Sequence, residues 1–403
     1  MFMRSLSHVY GYLHAMTDIP LVAVMLPNLG IADIAVKIWS DGEAIAPISI
    51  TAPDAEVQEK IAQLRPTHIV DQHGRHSFAG GVGVPVDTAA VIATSGTTGA
   101  PKLVELTRSG MTEMALGYTS AIQADAGDTW LACMPLFHVA SLAIIARAFV
   151  CELPFVVHDN FDLDRVGNSA EAEGVTMISL VPTALSRLLD AGARLDEFRC
   201  LIIGGAALAP ALRTRAEAAG ARLFDAYGLS ETWGGCITNG IANNGVEMRL
   251  GDLNEIELRG APVMRGYRFD DEATAQTKSS DGWFSTGDVG ELNDGRLRVV
   301  DRLKDIVITG GVNVSPTEIE NVLQRHPSIR DVCVIGVPDN EWGERVVAVV
   351  VPVSDSDALS LDALRDFAAD RLSAAKLPKE LRIIAEIPRS ASGKALRRVL
   401  SNP

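Results

Sequence analysis

The chain has little of what a disulfide framework or a cysteine-based metal site needs. Its five cysteines, Cys133, Cys151, Cys200, Cys236 and Cys333, are odd in number, widely separated and nowhere arranged as Cys-x-x-Cys. That spacing argues against both and points to a reducing compartment. Basic residues are also scarce: 36 Lys and Arg face 51 Asp and Glu, a formal net charge of -15. A nucleic-acid binder needs a cationic face to displace counterions from phosphate, so that class is excluded. Any anionic ligand must be held by local devices, not by the field of the whole protein. No apolar stretch is long enough to span a bilayer, and the amino-terminal residues show no charged head followed by a long apolar run. The expected location is the cytoplasm. There is no internal repeat and no low-complexity tract.

What is present is the composition of a globular protein. The 403 residues are 47% apolar and 22% charged, enough for two or three domains with sizeable cores. Short apolar runs alternate with amphipathic ones. Strands are predicted over 22–26, 46–50, 68–70, 91–93, 177–181 and 201–203, and helices over 31–39, 53–64 and 183–191. This is the pattern of an α/β fold: a large N-terminal domain of mostly parallel sheets flanked by helices. After about residue 245 the runs at 253–257 and 297–300 alternate among Gly and Asp turns, as in a small antiparallel β subdomain. From 306 onward the order is hairpin, helix (316–324), strand (332–337), strand (346–353), helix (361–372), strand (381–385). That is a compact α+β unit able to fold on its own. The predicted division is 1–301 and 302–403, at Asp301-Arg302-Leu303-Lys304.

The sharpest local signal is Thr94-Ser95-Gly96-Thr97-Thr98-Gly99-Ala100-Pro101-Lys102. A buried strand feeds a run of small hydroxyl residues and glycines closed by a lysine. Glycines let the backbone approach an anion, successive N–H groups and hydroxyls wrap phosphate oxygens, and Lys102 adds a point charge. The spacing is not that of the G-x-x-x-x-G-K-[ST] loop. The run resembles the signature loop of the adenylate-forming enzymes, the superfamily of acyl-CoA synthetases, luciferases and peptide-synthetase adenylation domains. Further matches follow in the same order: Gly204-Gly205-Ala206-Ala207; Tyr227-Gly228-Leu229-Ser230-Glu231-Thr232; Gly282-Trp283-Phe284-Ser285-Thr286-Gly287-Asp288; Asp301-Arg302-Leu303-Lys304-Asp305 with Gly310-Gly311-Val312-Asn313; and Ser392-Gly393-Lys394.

The resemblance implies an ATP-dependent enzyme that adenylates a carboxylic acid and transfers the acyl group to a thiol, with ATP, Mg²⁺ and coenzyme A as co-reactants. It assigns Thr94, Ser95, Gly96, Thr97, Thr98 and Lys102 to the phosphates, and Gly204, Gly205, Ala206, Asp225, Tyr227 and Gly228 to the nucleotide. Tyr227 and Gly205 would flank the adenine. Glu231 would hold Mg²⁺ and Thr232 would contact phosphate. Asp288 would take the ribose hydroxyls, with Arg302 supporting the same sugar. Lys394 would meet the charge developing between the acyl carboxylate and the α-phosphate. By itself Lys394 reads sooner as an ordinary exposed lysine in a basic tail with Arg397 and Arg398; its place after Ser392-Gly393 is what the resemblance adds. The resemblance further implies a small C-terminal domain that is mobile, with Lys304 at its hinge, and a tunnel for the thiol lined by Gly310 and Gly311.

For the acid, Met134-Pro135-Leu136-Phe137-His138-Val139-Ala140-Ser141 is similar to the acyl- and aryl-activating branches. Relatives that activate amino acids carry Asp after the Phe. His138, Ser141 and Gly228 would line the acyl site, with His138 also counted among the catalytic groups. Arg147, in an otherwise apolar run, reads either as the partner of a second substrate carboxylate or as a snorkelling or surface-paired arginine. Pro-Leu-Phe-His with a basic residue further on, and the 244–249 stretch, resemble most the o-succinylbenzoate–CoA ligases of menaquinone biosynthesis. Other aryl- or fatty-acyl-CoA synthetases, or a stand-alone enzyme loading a carrier protein, stay open, as does a homodimer. Thr94 comes earlier than such loops ordinarily do.

Overall fold

The computed structural model describes residues 18–94, 101–353, 359–389 and 395–401. They divide into two compact units. One takes in the described residues up to Arg249 together with Glu257–Thr286; the other takes in Leu250–Ile256 and the chain from Gly287 on. The division at 301/302 read from the sequence falls within the second of these, at the end of strand Arg296–Arg302.

The first unit is built on two seven-stranded sheets. In one, Leu21–Val24 lies between Ala44–Pro47 and His68–Asp71, all parallel, and Thr88–Thr94 joins on the far side of Ala44–Pro47 in the same sense. Its margins are antiparallel: Lys102–Thr107 and then Gly266–Tyr267 on one side, Gly74–Ser77 on the other. In the second, Phe155–Val157, Trp130–Ala132, Met177–Leu180, Cys200–Ile203 and Leu223–Tyr227 run parallel, and two short antiparallel strands, Ile237–Thr238 and Ile241–Ala242, close one edge. Leu21–Val24 and Ala44–Pro47 are buried at every residue. That is why these strands read as continuous apolar runs: central parallel strands are covered on both faces. The α/β reading holds, with helices near their expected places: Asn28–Ser40, Asp54–Leu64 and Pro182–Asp190.

The two sheets are joined through buried polar chemistry as well as apolar packing. Asn28, at the start of helix Asn28–Ser40, donates to Met134 O (3.2 Å) and His158 O (2.9 Å), and its Oδ1 accepts from Leu136 N (2.9 Å). One side chain thereby satisfies three backbone groups of the second sheet's connections, groups that would cost about 1–3 kcal/mol each if left buried and unpaired. The run before Asn28-containing helix ends at Pro27, and the helix has no side-chain N-cap. Helix Arg108–Ala121, by contrast, is capped by Thr107, whose hydroxyl accepts from Gly110 N at 2.9 Å.

Two sequence expectations shift. The second strand occupies Ala44–Pro47, not 46–50; past Pro47 the chain turns, with Ser49 Oγ accepting from Thr51 N. The alternating run at 253–257 contains a tight turn, because Leu253 and Asn254 both take positive φ (56° and 59°), and the strand is Glu255–Gly260.

In the second unit, strands Ile329–Asp339 and Gly343–Pro352 form a long antiparallel ribbon. Its side chains alternate between two cores. Val332, Val334, Val346, Ala348 and Val350 face helices Pro316–Leu323 and Leu361–Ala369, while Cys333, Ile335, Val347, Val349 and Val351 face Ile387, Ala395 and Leu400. Ser315 and Ser360 cap the two helices through Glu318 N and Ala363 N.

All five cysteines are free, and burial pushes the thiols of Cys133, Cys200, Cys236 and Cys333 up to about 12. They are packing residues, not nucleophiles. Among the described residues no helix is long and apolar enough to cross a membrane.

Candidate active site

Strands Thr88–Thr94 and Lys102–Thr107 pair up to their last residues, Thr94 opposite Lys102, and Thr94 Oγ1 donates to Lys102 O at 3.2 Å. Both ends of the glycine-rich loop are therefore pinned. Ser95, Gly96, Thr97 and Thr98 lie outside the described residues. From its strand end Lys102 places Nζ 4.3 Å from the centre of the Tyr267 ring. The Tyr267 hydroxyl donates to Glu231 Oε1 at 2.9 Å. Burial, reinforced by the Glu231 charge, raises the phenol's pKa, so it remains a proton donor. One aromatic ring thus separates the cation of the loop from the carboxylate of the downstream motif.

Glu231 sits on a single turn, Ser230–Thr232, that the sequence builds with care. Leu229 N donates to Thr232 Oγ1 (2.9 Å), and Met264 N donates to Glu231 O (2.7 Å). Trp233 leaves the turn in a left-handed conformation (φ 55°), and its buried indole donates to Thr107 O at 3.1 Å. The turn is thereby locked against the end of strand Lys102–Thr107. Thr232 is completely buried.

Gly204, Gly205 and Ala206 follow strand Cys200–Ile203, and Gly228 follows strand Leu223–Tyr227. These are the carboxyl ends of adjacent parallel strands, where open α/β sheets bind their ligands. Gly205 has φ +77°, a conformation few other residues adopt. Gly228 is required for a different reason: a Cβ there would lie 2.6 Å from Gly235 N and 2.7 Å from Gly235 Cα. A Cβ on Gly235 would in turn meet Tyr118 Cε2 at 2.8 Å, and one on Gly234 would meet Ala140 Cα at 2.9 Å. The strand end, the Gly234-Gly235 segment and helix Val139–Cys151 are stacked backbone to backbone. Asp225, in the same strand, is ion-paired with Arg213 and donates its N–H to Asn239 Oδ1 at 2.8 Å.

On the acyl side, His138 opens helix Val139–Cys151 and its carbonyl accepts from Leu142 N at 3.0 Å. Its exposed ring tilts against Phe137 at 4.5 Å. Ser141 is buried in the first turn. Arg147 is neither at the surface nor snorkelling: it is 3% exposed, with its guanidinium 4.3 Å from the Tyr118 ring and 4.6 Å from the Trp130 ring. Among the described residues its hydrogen-bond contact is Nη1 to Met114 Sδ at 3.9 Å, and its Nε meets no partner there. No carboxylate pairs with it among the described residues. Burial lowers its pKa below the ordinary arginine value.

In the second unit Asp288 and Arg302 lie opposite each other in a hairpin, and Arg302 Nε reaches Asp288 Oδ1 at 2.7 Å. Gly310 and Gly311, with φ 58° and 79°, form the turn between Val307–Thr309 and Val312–Val314. Lys304 is exposed on the turn Leu303–Asp305. Lys394 lies outside the described residues. Two site residues escape a reading of the sequence, Tyr118 and Tyr267. Neither sits in a signature run, and only the fold brings them to Gly235 and Glu231.

The paired strand ends at Thr94 and Lys102, a carboxylate one aromatic ring from Lys102, and glycines at the carboxyl ends of adjacent parallel strands all belong to the first unit. Comparison with known proteins gives the class of protein. The AMP-binding enzyme profile matches residues 22–268, and the AMP-binding enzyme C-terminal domain profile matches residues 318–394. The chain belongs to the AMP-binding enzyme family. It is 33% identical over 340 residues to the 2-succinylbenzoate–CoA ligase of Bacillus licheniformis, covering 78% of this chain and 70% of that one. Its fold matches o-succinylbenzoate CoA synthetase from Bacillus subtilis in complex with the acyl-adenylate intermediate, with a TM-score of 0.83 and 26% identity over 99% of this chain and 91% of that one. The same enzyme in complex with ATP and magnesium ion matches with a TM-score of 0.82 and 25% identity over 99% and 91%.

Proposed function

We propose that this protein is an ATP-dependent acid–thiol ligase acting on o-succinylbenzoate: it adenylates the acid, releases pyrophosphate, and transfers the acyl group to coenzyme A. The arrangement that carries this reading is Lys102, Tyr267 and Glu231 in contact beside the glycines at the strand ends. The names of the relatives support the choice of acid and acceptor, and the cytoplasm suits an enzyme whose cysteines are all free.

Adenylation replaces a poor acyl leaving group by AMP and so splits one difficult step into two easier ones. Thr94, Ser95, Gly96, Thr97, Thr98 and Lys102 hold the phosphates. Gly204, Gly205, Ala206, Asp225, Tyr227 and Gly228 hold the nucleotide, and Asp288 with Arg302 holds the ribose. Thr232 orients the phosphate, and Lys394 meets the charge that develops in the first half-reaction. His138, Ser141 and Arg147 serve the acid, and Gly310-Gly311 the incoming thiol. The domains divide at 301/302, with Lys304 as the hinge.

The residues present fit a magnesium ion held mainly by substrate. Among the described residues no group of three or more His, Cys, Asp or Glu could cage a metal, and Glu231 offers a single carboxylate. That is the ligand supply Mg²⁺ uses when phosphates and water complete its shell. When bound, the ion neutralises phosphate charge. Tyr267 fixes which Glu231 oxygen stays free. Tyr267→Phe is expected to raise the Mg²⁺ concentration for half-maximal pyrophosphate exchange about 10-fold, as loss of a hydrogen bond to a charged group implies. The melting temperature should move little. An unchanged Mg²⁺ dependence would detach Tyr267 from the metal.

The reaction is tested by pyrophosphate release with ATP and Mg²⁺, with and without coenzyme A, on o-succinylbenzoate, benzoate, octanoate, palmitate and several amino acids. Coenzyme-A-dependent turnover is expected to be far highest with o-succinylbenzoate, with benzoate, which lacks the second carboxylate, a much poorer substrate. Turnover confined to another acid keeps the class and removes the substrate; no turnover on any of them counts against the whole reading.

A further inference from the structure

Arg397, the first residue of helix Arg397–Ser401, is tied to three separate parts of the second unit. Its Nη2 donates to both oxygens of Glu320, at 2.8 and 2.9 Å, and its Nε donates to Val334 O at 3.2 Å. A third contact reaches Asp305 Oδ2 at 3.6 Å. Glu320, on helix Pro316–Leu323, also accepts from Val334 N at 2.7 Å. The other end of that helix is anchored at Asp301, whose Oδ2 accepts from Ser315 Oγ (2.7 Å) and Thr317 N (2.9 Å) while Oδ1 accepts from Arg302 N (2.8 Å). Asp305 belongs to the turn that carries Lys304.

The chain is held just as firmly before residues 390–394. Arg389 donates to both oxygens of Asp331, at 2.9 and 2.8 Å. Its backbone bridges to Ala395, and Leu396 N donates to Pro388 O at 2.8 Å. Both flanks of this segment are therefore fixed on strand Ile329–Asp339. Lys394 precedes Arg397 by three positions along the chain, a reach of at most about 10 Å. A planar guanidinium engaged on two carboxylates and a carbonyl restricts direction as well as distance, which a lysine ammonium does not. Partly exposed ion pairs add little stability on their own, so geometry is the better account of this one.

We propose that Arg397 is a positioning residue for adenylation: through Glu320 and Asp305 it fixes the chain just after Lys394 relative to the helix and turn that follow the hinge. The proposal rests on the role assigned above to Lys394. It makes the first half-reaction depend on the Arg397–Glu320 pair and the second independent of it.

The test measures the two half-reactions separately on the full chain: acid-dependent pyrophosphate exchange, and coenzyme-A-dependent consumption of a synthetic acyl-adenylate. Arg397→Met and Glu320→Gln are each expected to lower kcat of exchange about 30-fold, with KM for ATP and acid and the rate of thiol transfer within about 2-fold. Their combination should be no worse than either alone, as for partners in one interaction. Arg397→Lys should recover part of the loss. Exchange unchanged in Arg397→Met overturns the proposal. So does an equal fall in both half-reactions, which marks a merely structural role. Lys394→Ala run alongside separates the two ideas: full exchange in that variant sinks the underlying assignment, and with it the proposal. Lost exchange there with unchanged exchange in Arg397→Met sinks the positioning role alone.

Discussion

Lys394→Ala is expected to lower acid-dependent pyrophosphate exchange at least about 100-fold while ATP binding stays within a few-fold. The argument lies in where charge appears. On the reading proposed above, the acid carboxylate and the triphosphate each have their own ground-state partners, Lys102 and the strand-end glycines among them. As the carboxylate oxygen approaches the α-phosphate, negative charge gathers at a point those partners do not serve. A cation delivered there acts on the transition state and not on the bound substrates, so its loss appears in kcat rather than in affinity. Removing one preorganised donor of this kind costs about 2.7–4 kcal/mol, or roughly 10²–10³ in rate. Thiol transfer from a preformed acyl-adenylate should survive, because that step makes no new bond at phosphorus. Exchange at the wild-type rate in Lys394→Ala would leave the first half-reaction without its assigned cation.

Much of the fold could be read from the sequence, for reasons the structure makes explicit. Central parallel strands such as Leu21–Val24 and Cys200–Ile203 are buried on both faces, so they stand out as uninterrupted apolar runs. Helix Pro316–Leu323 announces itself by Ser315 before Pro316. Leu253 was harder: an apolar residue in an alternating run reads as strand, yet it sits at φ 56° and is 66% exposed. Nothing in side-chain patterning reports a left-handed backbone.

The site was legible only where it is local. Thr94, Lys102, Gly205, Gly228 and Glu231 stand in short runs whose chemistry can be argued residue by residue. Tyr267 lies far along the chain from both Lys102 and Glu231, and only the antiparallel pairing of Gly266–Tyr267 with Lys102–Thr107 brings it between them. Tyr118 is likewise an ordinary core aromatic until the fold seats it against Gly235. The Arg397–Glu320 pair follows the same rule: a charged residue in a basic tail says nothing about the carboxylate it meets at the edge of the sheet, beside Val334.

The second large effect is expected at Arg147. Arg147→Met should lower kcat/KM for o-succinylbenzoate about 100-fold, chiefly through KM, and leave turnover of benzoate within about 3-fold. Of the two readings made from the sequence, the snorkelling or surface-paired arginine fails, because this guanidinium is buried and enclosed between Tyr118 and Trp130. Cation–π contacts at these distances offset desolvation by roughly 2 kcal/mol each when dry, but they bring no negative charge. A buried cation without an anion is costly, and the structure supplies no carboxylate for it among the described residues. A second substrate carboxylate would bring the charge that is lacking. The neighbouring Tyr118 ring packs beside Gly235, and Gly235 against Gly228, so the cage adjoins the motif proposed above for the acid and nucleotide. Deleting one partner of a desolvated charge pair costs about 2–5 kcal/mol, and a 100-fold loss is about 2.7 kcal/mol. Methionine keeps much of the volume and removes the unpaired charge, so stability should hold or rise. The deciding quantity is the ratio of the two acids. If Arg147→Met changes the melting temperature but handles o-succinylbenzoate and benzoate in the wild-type proportion, the arginine is a packing element and another group reads the second carboxylate.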